Sequence, residues 1–536
     1  MQKKRIVCFV LLVSVFAMGV TAPARASEKP NVVIFLMDDL DFSGMGAGYD
    51  LMEFPSTERL SGDAPEFPLV VTPNIDKLVH EGLIFNRFYI TSPVCTPCRY
   101  SLLTGKYAST AHNLSSDFAP GQTVHNITWN THVKPGQYNL PKMLKSVGYR
   151  TGIAGKMHCE DGYKKMRAIY QKYTNENPLS PEAVAEIAAG HWEFVRELKE
   201  LYQWDYAERV YSENADASHF PPQLRGFNLD WCTQGALEFI EENQAKPFFL
   251  YFPINFPHGV SGAGKHRFSR DGRVGTPAGI LDEIPGVLPD IEEVHKQILA
   301  AGGDPEQTNS LTMVDHALGA IDQKLRETGN YENTIFIYLS DHQKVAKNTP
   351  HEGARVPCVI RWPEKIKQQG RSDALCANID LLVTLAQIVG AQIPQNAAIN
   401  GESFAPLLLE KKDFKGRDQV LLEINYARAL IKGDYKYIEY FAPDKVRNAV
   451  VSGETEFHRK SKKTRRVGWY PMRYNADRYF GNYFDLVQLC NLKKDPFEKV
   501  NLADKPEYES VIKEMRTDLV KQVEVLKKEQ AELVSQ

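Results

Sequence analysis

The chain has 536 residues, long enough for a large buried core and more than one domain, with 43% hydrophobic residues and a formal net charge of −3. That small negative charge excludes a protein built globally for polyanions, so an anionic substrate must be met by local positive charge.

Lys3, Lys4 and Arg5 precede an apolar run over 6–20, and Ala24-Arg25-Ala26 fits a small-x-small cleavage pattern. This predicts a signal peptide over 1–26 and an exported protein, periplasmic or secreted. The apolar run is short and nothing later exceeds it, so no stable membrane insertion is expected. Removing 1–26 deletes four positive charges and no acidic one, moving the net charge from −3 to −7. Cys95, Cys98, Cys159, Cys232, Cys358, Cys376 and Cys490 remain, an odd and sparse set that excludes a disulfide scaffold.

Residues 31–37 form a continuous apolar run suited to a strand buried on both faces, and similar runs recur at 247–252, 334–339 and, more weakly, 356–361. Helical periodicity lies between them, over 75–81, 236–242 and 313–325. Alternating strands and helices predict an α/β domain whose large mixed sheet is mostly parallel and flanked by helices. Residues 160–226 are polar and aromatic, and read as a helical insertion rather than core sheet. The charged stretch 410–417 suggests a boundary, giving a catalytic domain over 27–415 and a smaller α+β subdomain over 416–536. The latter is expected to hold a small antiparallel sheet and a final helix over 506–533, with Tyr508, Ile512, Met515, Leu519 and Leu526 on its buried stripe.

Chemistry-bearing residues gather where predicted strands end, as functional groups do in doubly wound sheets. Asp38-Asp39 and Asp341-His342 each follow such a run, and crowded carboxylates suit a hard divalent cation. A solvated turn explains either pair alone; two pairs make a shared metal site the better reading. Lys156, His158 and His258 also follow apolar segments, and Lys347 comes soon after His342. Together they would line a positive pocket for a sulfate or phosphate group, with histidines to move protons. Cys95 and Cys98 form a C-x-x-C, which by spacing alone is a redox pair, half a zinc site, or one reactive cysteine with a bystander. A zinc site lacks a second such pair, and a thioredoxin-like unit would not need two acidic pairs in a chain this large.

The stretch from Cys95 through Pro97 and Arg99 to Leu103-Thr104-Gly105 resembles the C-x-P-x-R signature of type I sulfatases, in the alkaline phosphatase superfamily. The segments 31–39, 72–76, 155–158, 340–342, 351–357 and 495–502 resemble that family in order along nearly all of the mature chain. Three positions depart from it: Cys98 stands for the usual serine, Gln343 for a common glycine, and His351 for a frequent tyrosine. The resemblance implies an alkaline-phosphatase-like fold and a formylglycine made from Cys95 by a maturation enzyme. It implies that Asp38, Asp39, Asp341 and His342 hold calcium with residue 95. It also implies that Arg99 favours an ionised hydroxyl on residue 95, that Lys156 and Lys347 bind sulfate oxygens, that His258 protonates the leaving group, and that His158 drives sulfate release.

The implied function is hydrolysis of sulfate esters, with O-sulfated glycans favoured by export. A phosphonate monoester hydrolase or phosphodiesterase of the same superfamily could use similar residues, and a non-catalytic protein that binds sulfated glycans is the third reading. Residues 458–466 contain six Lys/Arg and no acid. Arg459, Lys460, Lys462, Lys463, Arg465 and Arg466, with Trp469 just beyond, form either a solvated loop or a surface for a sulfated carbohydrate. Export argues against nucleic acid as the partner.

Overall fold

The computed structural model describes residues 29–535, leaving aside 43, 46–68, 115–117, 119–121, 216–217, 259–273, 345–346, 368–369, 410–413, 445–446 and 449–479. The expected signal peptide and the basic run with Trp469 therefore lie outside the described residues.

The first apolar run becomes the strand β1, Asn31–Asp38, buried throughout. Side chains alternate across a strand, so Val32, Ile34 and Leu36 enter one core while Val33, Phe35 and Met37 enter another on the opposite face. At about 1.5–3 kcal/mol for each fully buried apolar side chain, these six residues anchor the strand whose end carries the acidic pair.

Seven further strands complete the sheet: β2 Leu83–Phe85, β3 Arg150–Lys156, β4 Tyr206–Tyr211, β5 Phe248–Pro257, β6 Thr334–Ser340, β7 Cys358–Arg361 and β8 Gly370–Ser372. Their spatial order is β8-β2-β7-β6-β1-β5-β3-β4. β6, β1, β5, β3 and β4 are mutually parallel, and only β7 runs against its neighbours. The sheet is mixed and mostly parallel, as expected. Helices cover both faces. Cys95–Thr104 (α1) and Asp380–Val389 feed Leu102, Leu103, Leu381 and Leu385 into the first core. Leu229–Glu242 and Pro305–Glu327 feed Phe239, Ile240, Val314 and Ile321 into the second.

A four-stranded antiparallel sheet follows, made of β9 Gln419–Ile424, β10 Ala427–Lys432, β11 Tyr435–Tyr440 and β12 Val487–Asn491 in that order. The terminal helix Glu509–Ser535 adds Met515, Leu519 and Leu526 to its core, while Tyr508 and Ile512 pack at the margin. Glu423 N donates to Thr91 O at 2.7 Å, which ties this sheet to the segment leading into Cys95.

The 160–226 reading needs correction. Helices Tyr163–Lys172 and Pro181–Tyr202 do form there, but Tyr206–Tyr211 is the edge strand of the main sheet. Glu208 and Arg209 interrupt its apolar pattern, and partial exposure at an edge permits them. Only its parallel pairing with β3 makes it a strand.

Candidate active site

Because β6, β1, β5 and β3 are adjacent and parallel, their carboxyl ends meet along one edge of the sheet. Asp38 and Lys156 are the last residues of β1 and β3, His258 follows β5, and Asp341-His342 follows β6. Residues 302 positions apart in sequence thus become neighbours: Asp39 N donates to Asp341 Oδ1 at 3.3 Å. Asp39 itself turns away from the strand with φ 66.

Cys95 arrives on α1, whose every residue is buried. Val94 is extended, so the helix starts at Cys95, and Pro97 in the first turn costs no intrahelical bond. Gly105, left-handed at φ 65, closes the helix with its N–H on Ser101 O. Cys95 Sγ lies 3.6 Å from Asp38 Oδ1 and 3.4 Å from His342 Nε2. One turn later, the buried Arg99 donates through Nη2 to Asp38 Oδ2 and Asp341 Oδ2, both at 3.1 Å, and through Nη1 to Lys156 O at 2.8 Å.

The lysines complete the charge pattern. Lys156 pairs with Asp38, and Lys347 Nζ lies 2.9 Å from Asp39 Oδ1. Burial would raise the Asp38 carboxyl, but Lys156, His258 and Arg99 outweigh it and hold that group well below the ordinary carboxylate range. Asp341 shows the opposite balance: burial and the neighbouring Asp38 charge push its carboxyl up. Burial works against the charge on His342, yet Asp341 overcomes it and lifts the imidazole to about 9. His158, at φ 57, is driven well below its usual value by burial and then by Lys156 and Arg99. Its Nδ1 is buried without a hydrogen-bond partner among the described residues. His258 Nε2 lies 3.8 Å from Asp39 Oδ2; burial lowers its proton affinity while Asp38 and Asp39 raise it.

The donor set fits a metal ion. Single ligand atoms from Asp38, Cys95, Asp341 and His342 lie within 4.8 Å of one another, all four residues are buried, and Asp38, Asp39 and His258 form a second such group. Carboxylates dominate, and the burial and then the neighbouring Asp38 charge that push the Asp341 carboxyl up are costs that a divalent cation would offset. The ten positions expected for metal and sulfate chemistry are not equivalent: Asp38, Asp341 and His342 group with Cys95, whereas Lys347 and His258 meet Asp39.

The roles of two contributors, Asn378 and Gly155, are not legible in the sequence. Asn378 Oδ1 accepts from Thr91 N and Oγ1, both at 3.1 Å, while its Nδ2 donates to Cys98 O at 3.2 Å. It therefore locks the segment entering α1 onto the helix. No local signal marks it, since it lies 280 positions from Cys98. Gly155, at φ 126, lets β3 pass the carbonyl of Pro253 just before Lys156. Its glycine identity was the available signal.

The family described as Sulfatase matches residues 30–391, about two thirds of the chain. The chain belongs to the sulfatase family. Residues 346–525 of this sulfatase also match the C-terminal region of N-sulphoglucosamine sulphohydrolase. It is 25% identical over 511 residues to an ulvan-active sulfatase of Formosa agariphila, covering 92% of this chain and 80% of the relative. It is similarly 25% identical to an N-acetylgalactosamine-6-O-sulfatase of Bacteroides thetaiotaomicron, covering 91% and 92%. Among solved structures, the phosphonate monoester hydrolase of Agrobacterium radiobacter shares its fold with a TM-score of 0.56 at 16% identity, covering 93% and 96%. The sulfatase is thus a sulfuric ester hydrolase of the alkaline phosphatase superfamily, and the fold alone does not separate sulfate from phosphonate chemistry.

Proposed function

We propose that this sulfatase is exported and removes O-sulfate groups from sulfated glycans, using a formylglycine made from Cys95 by a maturation enzyme and a bound calcium ion. The observation that carries the reading is the position of Cys95. Its Sγ opens a buried helix directly against Asp38 and His342, within reach of two lysines' ion-pair network and two histidines. The names of the two relatives, an ulvan-active sulfatase and an N-acetylgalactosamine-6-O-sulfatase, support a carbohydrate substrate.

Asp38, Asp39, Asp341 and His342 would hold the calcium ion, which supplies Lewis acidity toward sulfate oxygen. Hydrated formylglycine at residue 95 would supply two hydroxyls on one carbon, one as the nucleophile toward sulfur and one to give up the proton that lets sulfate leave as the aldehyde re-forms. Lys156 and Lys347 neutralise the anionic oxygens, and Arg99 fixes Asp38 and Asp341 from behind with its paired donors. His258 hands its proton to the departing sugar oxygen, because an alkoxide is a poor leaving group near neutral pH. His158, kept neutral by burial and the adjacent cations, accepts the proton from residue 95. Arg459, Lys460, Lys462, Lys463, Arg465, Arg466 and Trp469 are assigned to neighbouring sulfates and sugar faces.

The test is sulfate release from a panel of defined sulfated saccharides, run beside the corresponding phosphate esters. Sulfate release with phosphate turnover at least about tenfold lower supports the reading, since tenfold is 1.4 kcal/mol of transition-state preference. Phosphate or phosphonate esters cleaved faster than every sulfate would replace it.

A further inference from the structure

A cavity of about 610 Å³ opens at the end of α1 remote from Cys95. Ten residues at 1.5 Å each place its rim about 15 Å from that cysteine along the helix. Its walls carry Lys106, Lys134, Lys142 and His112, and no carboxylate lines it among the described residues. Lys106, just past the Gly105 cap, is 3% exposed and makes no hydrogen bond or close ion pair with the described residues. Burial lowers its proton affinity to about 8; Glu529 opposes that, although Asn400 Nδ2 already holds this carboxylate at 2.9 Å. A buried ammonium facing a cavity with two more lysines is an arrangement that an anion would stabilise.

The remaining walls suit a sugar rather than a bare ion. Tyr138 presents a half-buried ring, and Gln137 offers an amide already turned by its Nε2 donation to Tyr100 Oη at 3.4 Å. A backbone hydrogen bond links the cavity wall to the segment carrying His158. Lys134 follows Val133, whose N–H donates to the carbonyl of Cys159 at 2.8 Å, the residue next to His158. His132 Nδ1 lies 3.1 Å from Asp161 Oδ1 in the same loop. The volume falls within the usual range for small-ligand pockets, roughly 300–1,000 Å³.

We propose that this cavity binds a second, non-reacting anionic sugar residue, bearing sulfate or carboxylate, of a polymeric substrate. The proposal rests on the glycan reading above. It makes the enzyme prefer chains over single sulfated sugars, because a second contact at fixed spacing raises effective concentration.

The test uses full-length Cys95→Ala protein titrated with a defined sulfated hexasaccharide and, separately, with inorganic sulfate. Lys134→Ala/Lys142→Ala alters two exposed side chains and leaves the fold intact; Lys106→Gln is the companion variant. Hexasaccharide binding should weaken about tenfold or more in the double variant, the scale of one lost charge-assisted contact. In the Cys95 background, kcat/KM for a small aryl sulfate should stay within about twofold, as expected for distant sites. Unchanged hexasaccharide affinity in both variants overturns the proposal. Inorganic sulfate, or an oligonucleotide of equal charge, binding as tightly and with the same lysine dependence overturns the saccharide assignment. Lysine-dependent hexasaccharide binding by an enzyme that desulfates no glycan would uphold the cavity while refuting the proposed reaction.

Discussion

Cys95 and Cys98 lie one turn apart on α1 and have separate partners. Cys95 Sγ faces His342 Nε2 at 3.4 Å, whereas Cys98 Sγ receives Asn378 Nδ2 at 3.7 Å, and both thiols are free. Burial, then the charge of Asp341, lifts the Cys98 thiol well above its ordinary range, which leaves it an inert packing group. Cys98→Ser should retain activity within about threefold, while Cys95→Ala should lose at least about a thousandfold, as removal of a nucleophile does. Cys95→Ser should fare little better, having one hydroxyl. Mass spectrometry of the peptide spanning Cys95 provides the direct check. An aldehyde at 95 with a thiol at 98 is expected, and a 95–98 disulfide in fully active enzyme would refute it.

The acidic pairs predict metal dependence. Asp38→Ala or Asp341→Ala removes a carboxylate from the crowded set that faces Cys95. Sulfate release should fall by about a hundredfold or more, the scale of losing one strong electrostatic stabiliser. Chelation of the wild type should impair it, with calcium restoring turnover. Undiminished activity after exhaustive chelation would remove the metal from the mechanism.

Gly155 predicts a defect that leaves every charged group in place. A Cβ there would sit 2.1 Å from Pro253 O, and the φ of 126 is itself strained for any other residue. Gly155→Ala should push β3 off β5 and displace Lys156. A stability loss of about 1–3 kcal/mol is expected with the drop in kcat. Denaturant unfolding measured beside the aryl sulfate assay tests both. Wild-type stability and activity together would contradict the close packing at this strand pair.

His351 predicts acid sensitivity. It is fully buried, with Nε2 2.9 Å from Gln488 Oε1, Nδ1 2.8 Å from Thr349 Oγ1, and its ring stacked on Phe480. Burial drives its value from the usual 6.5 to about 3, Gln488 opposing and Lys436 assisting. The folded value lies below the unfolded one, so the unfolded chain binds the extra proton between them. This contribution is complete above about pH 6.5 and fades as pH falls toward 3, with a slope near 1.4 kcal/mol per pH unit inside that window. Stability curves of wild type and His351→Phe should converge on acidification. Parallel curves through the window would show that His351 does not titrate with unfolding.

The chain's local pattern determined much of this protein by itself. The run ending in Asp38-Asp39, the run ending before Asp341-His342, and the spacing of Cys95, Pro97 and Arg99 are each contained within a few residues. Apolar periodicity reports burial directly, because a strand buried on both faces reads as a near-continuous apolar run, with polar exceptions such as Asn31 satisfied by hydrogen bonds. Tertiary structure decided what those fragments do together. Tyr206–Tyr211 became sheet only because β3 offered an edge, Asn378 reached Thr91 from 287 positions away, and Gly155 passed a carbonyl that no local pattern reveals. The cavity at Lys106 was equally invisible, since its lysines come from separate segments and are ordinary singly. Periodicity carries burial, but pairing across hundreds of residues is fixed by which edges and faces meet when the cores close. That closure sets Cys95 against His342.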